Sequence, residues 1–128
     1  MKALFRKKIL ALSLCILVPV SILLGVKVIS STVAEPLHID WNDSGNCYIA
    51  TYAPNYKFLG VVAGRIFKYF SSPYFYRVYS KDNHLLKTSE WYVWREEGAP
   101  GVAAEFRGEM IVYPGSEGWE SWIIPECR

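Results

Sequence analysis

The chain has 128 residues, of which 52% are hydrophobic and 20% charged, with a formal charge of +2. That positive sign belongs to the N-terminal end, because from Glu35 onward nine basic residues stand against twelve acidic ones. The basic face that nucleic-acid binding requires is therefore missing from most of the chain.

The chain opens with Lys2, Arg6, Lys7 and Lys8, followed by an uncharged run over residues 9–26. As a helix this run spans roughly 27 Å, close to the hydrocarbon thickness of a bilayer. The basic tip favours a cytoplasmic N-terminus, so the segments expected are a cytoplasmic tip (1–8), a transmembrane anchor or uncleaved signal (9–30), a connector (31–44) and an exported β-rich domain (45–128). Cleavage after Ala34, in "TVAE", is the alternative and would release a soluble periplasmic protein. Cys15 lies mid-run behind Leu14, which suits a lipid-facing or helix-facing thiol.

"NDSGN" is rich in turn formers, and Asn42 in "NDS" formally matches an N-glycosylation acceptor. Ile39 and Trp41 are placed at the edge of the domain. "CYIATYA" alternates as a strand, with Cys47, Ile49, Thr51 and Ala53 opposite Tyr48, Ala50 and Tyr52. "YKFLGVVAGRIFKYF" carries Tyr56, Leu59, Ala63, Ile66 and Phe70 at helical spacing, although Gly60, Gly64, Val61 and Val62 weaken a helix. A short helix, or a loop containing one, is expected there, packed into the domain core; its basic, aromatic character also suits an anionic membrane surface.

"YFYRVYSKDNHLLKTSEWYVW" reads as a hairpin, with arms over residues 74–80 and 85–94 around a "KDNH" turn. In the second arm Trp91 and Val93 oppose Tyr92 and Trp94. "FRGEMIVYP" reads as one strand with a bulge or close approach at Gly108, and "WESWIIP" as another. Five strands in all predict a mainly β domain, a small antiparallel sandwich or open barrel with at most one short helix.

Export leaves Cys47 and Cys127 in a compartment where disulfides persist, and their pairing is expected. The bridge would close a loop of about 80 residues, worth ~4 kcal/mol by loop entropy. With no second thiol close by and no convincing histidine partner, neither a metal-binding nor a catalytic thiol is expected. No cofactor or metal is expected, and the His38, Asp40 and Asp43 group matches no complete ligand loop. Glu105 and Glu109 are the candidate carboxylates for a hydrolase.

"GNCYIATYAP" and "YFYRVYSKDNHLLKTSE" together resemble a family of small, mostly uncharacterised bacterial envelope proteins. The likeness covers roughly residues 45–90. Some such proteins are encoded beside antibacterial toxins and act as immunity proteins, so the resemblance implies a non-enzymatic inhibitor of a secreted toxin, held at the inner membrane with its C-terminal domain in the periplasm. The candidate partner contacts are Tyr113, Trp119 and Trp122 as aromatic anchors, with Glu117 and Glu120 at their rim. An accessory subunit of an inner-membrane complex and a small envelope hydrolase are the alternatives.

Overall fold

The computed structural model describes residues 2–90, 103–115 and 118–128. It opens with helix α1, Lys2–Thr32, in which Pro19 is accommodated. Residues 6–32 are long and apolar enough to cross a membrane, and this helix stays almost wholly uncovered until its last two turns. There Val26, Ser30 and Ser31 are buried against the rest of the protein.

Two antiparallel sheets follow. The first joins β1 (Pro36–Trp41), β2 (Cys47–Tyr52), β3 (Phe75–Ser80) and β4 (Leu85–Thr88), in that order. The second joins β5 (Glu105–Arg107), β6 (Met110–Gly115) and β7 (Gly118–Ile123). Neither closes into a barrel. The described residues hold seven strands where five are expected.

Three differences from the sequence reading have physical causes. Within the stretch read as a connector, residues 36–41 form an edge strand, paired through Ile39 with Ala50 and through Trp41 with Tyr48. "FRGEMIVYP" is not one bulged strand. Gly108 takes φ 64°, a conformation glycine adopts without penalty. Arg107 and Met110 then pair directly, and the segment folds into a hairpin with a two-residue loop. In the "KDNH" turn Asn83 makes the equivalent left-handed step at φ 62°. The return strand from Leu85 ends at Thr88, and Trp91, Tyr92, Val93 and Trp94 lie outside the described residues.

The alternating side chains of the two sheets form one core. Cys47, Ile49, Tyr76 and Val78 from the first sheet meet Ile111, Tyr113 and Trp122 from the second, with Ala104, Ile124 and Cys127 completing the cluster. Tyr113 packs 5.6 Å from the Tyr76 ring and 4.3 Å from the Trp122 ring. Each of these large side chains contributes about 1.5–3 kcal/mol through apolar burial. At the sheet edges Asp40 Oδ2 accepts the Phe106 backbone N–H at 3.1 Å, so β1 supplies a partner to β5 where the two sheets meet.

The segment between β2 and β3 is a 3₁₀ turn, Lys57–Leu59, followed by helix α2, Val61–Phe70. The helix expected here is present, but it is not part of the core, for none of its residues is buried. It touches the domain along Ala63, Gly64 and Phe67. A Cβ at Gly64 would lie 3.0 Å from the Tyr56 carbonyl oxygen, and the Phe67 ring packs 6.1 Å from that of Tyr56.

Candidate interaction surfaces

Cys47 and Cys127 form a disulfide across 80 residues of sequence. Asn42, beside it, is the main structural residue that sequence reasoning missed. Its side chain is buried, with Oδ1 accepting the Cys47 N–H at 3.1 Å. Its Nδ2 donates to the Cys127 carbonyl at 2.6 Å and to Ser44 Oγ at 2.9 Å. The amide needed for a glycan is therefore committed inside the fold, which removes the glycosylation reading. Asn46 Nδ2 donates to the Arg128 carbonyl at 2.9 Å, so two asparagines and a disulfide hold the C-terminal turn. The dense "NDSGN" turn chemistry was the available signal, but it carries no information about a partner 85 residues away.

The expected partner contacts divide between the two faces of the β6–β7 hairpin. Tyr113 and Trp122 point into the core, so the surface role expected of them gives way to packing. Glu120 also turns inward, its Oε2 accepting the Tyr113 hydroxyl at 2.9 Å. The Glu120 carboxylate lies over Gly115, where any Cβ would overlap it. Glu117 lies outside the described residues. Trp119 alone of the five faces solvent among the described residues, at 60% exposure. On the same face lie Pro114 directly opposite Trp119, and Met110 opposite Ile123, itself 73% exposed. The result is a strip of two apolar pairs, with buried Val112 and polar Ser121 between them, on a hairpin whose other face is fixed in the core.

At its border stand two local ion pairs. Arg107 meets Glu105 at 2.7 Å, and Arg128 meets Glu109 at 2.8 Å. The two carboxylates considered for hydrolysis are thus each engaged by an arginine at the surface. Among the described residues no three histidine, cysteine or acidic side chains gather as a metal site.

The outer face of the first sheet carries an aromatic rank. Trp41 lies 4.7 Å from Tyr48, and Tyr48 stacks on Tyr79 at 5.1 Å. Tyr52 stacks on Phe75 at 5.1 Å, and the Arg77 guanidinium sits 5.0 Å from both ring centroids. Period-2 alternation of Tyr48 with Tyr52 and of Phe75 with Tyr79 shows this face in the sequence; the closing role of Arg77 has no sequence signal. Arg77 pairs with Glu90 at 2.6 Å and donates to the Ser31 carbonyl at 3.4 Å, while the Asn55 N–H donates to the Ser30 carbonyl at 3.0 Å. Carbonyls left open at the end of α1 thereby acquire donors, one of them cationic. The two-sheet domain is seated on the end of the apolar helix.

Burial, reinforced by the hydrogen-bonded Tyr79, pushes the Tyr52 hydroxyl up to about 12. Burial works to depress the Arg77 pKa but is outweighed by the Glu90 hydrogen bond and charge, so it lies above its ordinary value.

Compared with protein-family models, curated proteins and solved structures, the chain finds no match.

Proposed function

We propose that this chain is a membrane-anchored binding module of the bacterial envelope, whose exported domain captures a protein partner on the outer face of the β5–β7 sheet. The carrying observation is the strip of Trp119, Met110, Pro114 and Ile123. Trp119, Met110 and Ile123 are exposed and Pro114 half-buried, yet all lie on a hairpin held by Tyr113, Trp122 and the neighbouring disulfide. Rigid aromatic anchors of this kind dominate binding energy because little conformational freedom is lost on contact. The paired Glu105–Arg107 and Glu109–Arg128 form a polar border around them.

In the finer form of the proposal the partner is a secreted antibacterial effector, and the module is an immunity protein acting by steric occlusion in the periplasm. The basic N-terminal tip supports that orientation. Retention of α1 is supported by the burial of Val26, Ser30 and Ser31 in the domain, which cleavage after Ala34 would undo.

The test is a survival assay against the product of the gene adjacent to this chain's own, with binding measured on the purified full chain. Trp119→Ala should weaken binding at least ~30-fold and abolish protection, while stability changes by no more than about 0.5 kcal/mol. Trp122→Ala should instead lower stability by about 3–5 kcal/mol. Unchanged binding with Trp119→Ala overturns the surface assignment; binding without protection overturns the immunity role.

A further inference from the structure

α2 is a poor helix for water. It is ten residues long, begins Val-Val, contains Gly64 and buries no residue. Its outward stripe is nonetheless apolar. Val62, Ile66, Tyr69 and Phe70 follow helical spacing, with Val62 73% and Tyr69 84% exposed. Residues 57–70 contain Lys57, Arg65 and Lys68 and no acidic residue. These three cations, with Glu35 as the one acidic side chain beside them, line an open cleft of about 580 Å³ that also takes in Leu37, just beyond α1. The approach to α2 is bonded to the apolar helix itself, through the Asn55 N–H on the Ser30 carbonyl. Ile29, Val33 and Leu37 are likewise exposed, so apolar surface runs from the last turn of α1 toward α2.

We infer that α2 is an interfacial helix, lying on the bilayer beside the point where α1 leaves it. The Val62–Ile66–Tyr69–Phe70 stripe enters the boundary between headgroups and acyl chains. Lys57, Arg65 and Lys68 meet the phosphates of anionic lipids, and Tyr69 places its hydroxyl at the wet edge. The exported domain then has two membrane contacts, and its orientation over the surface is set. This inference rests on α1 as a membrane anchor, not on the partner proposed for Trp119.

The full chain, reconstituted in phosphatidylcholine vesicles with and without phosphatidylglycerol, carries one thiol probe at a time. Native Cys15 reports the anchor. Tyr69→Cys and Asp82→Cys, each combined with Cys15→Ser, report α2 and the exposed β3–β4 turn. Expected are deep lipid quenching at position 15, shallow lipid quenching at 69 and aqueous quenching at 82. Arg65→Glu with Lys68→Glu should lower the ratio of lipid to aqueous quenching at 69 about fivefold or more in anionic vesicles. Both residues are exposed, and intact disulfide formation confirms folding of the variant. If position 69 is as water-accessible as 82 while 15 stays deep, the inference fails and the anchor stands. If all three are aqueous, both fail. If the charge reversal has no effect, the role of anionic lipid is overturned. Protection of position 69 only when membrane proteins are added assigns the face to a protein and also overturns it.

Discussion

Asn42 does more for this fold than its surface-type chemistry implies. Its amide serves the Cys47 N–H, the Cys127 carbonyl and Ser44 at once, the first two in a buried setting. Truncation leaves a backbone donor and a carbonyl without partners, each costing about 1–3 kcal/mol. Asn42→Ala should therefore lower stability by about 2–4 kcal/mol with the disulfide still formed, which urea unfolding of the oxidised protein would measure. Tyr52 makes a second prediction. Its hydroxyl is raised from 10.0 to about 12 in the folded protein, so the native state holds that proton more tightly than the unfolded chain does. Its contribution is complete below the unfolded value and is lost as pH rises from about 10 through about 12. Alkaline unfolding monitored by circular dichroism should show this loss, and Tyr52→Phe should flatten it.

The elements owe their arrangement to what packs between them. The last turn of α1 has carbonyls that its own helix cannot satisfy, and the Asn55 N–H and Arg77 reach them. Arg77 is held for this by Glu90 on one side and by the Tyr52 and Phe75 rings on the other. Arg77→Leu keeps much of the apolar contact but removes the cap and the ion pair to Glu90, whose carboxylate keeps the Thr88 hydroxyl as a donor. We expect a loss of about 2 kcal/mol. Hydrogen exchange at the Asn55 amide should quicken about tenfold or more, because that amide reports the seating of α1 directly. Unchanged protection would mean that Arg77 does not hold the helix. The hairpin signal in "YFYRVYSKDNHLL" was legible because strand alternation and an αL-tolerant Asn83 act within a few residues. The β5–β6 hairpin was missed because Gly108 serves a bulge and a two-residue turn equally well in local terms, and only the pairing of Arg107 with Met110 decides between them.

Across the protein as a unit, two small sheets share one core and are locked at their ends by Cys47–Cys127. A chain of this size buries a modest fraction of its surface, so a bridge spanning 80 residues carries weight. Replacing both cysteines by alanine should cost about 4 kcal/mol, seen as a lower urea midpoint, with a larger loss at the C-terminal turn than at β3. The same seating that joins α1 to the domain places α2 and the Trp119 strip on different parts of its surface. One supports the inferred lipid contact and the other the proposed partner contact.

The apolar run behind a basic tip, the two cysteines that follow it and the β3–β4 hairpin were readable directly, since each depends on composition or on spacing along a few residues. Tertiary structure alone decided which side of "WESWI" is inward. Alternation separates Trp119 from Trp122 but does not say which one the opposing sheet covers; Tyr76 and Tyr113 bury Trp122 and leave Trp119 in solvent. It also decided that Asn42 closes onto Cys127 and that α2 stays outside the core. Those outcomes depend on surfaces brought together from distant parts of the chain, and local sequence carries no record of what will stand opposite.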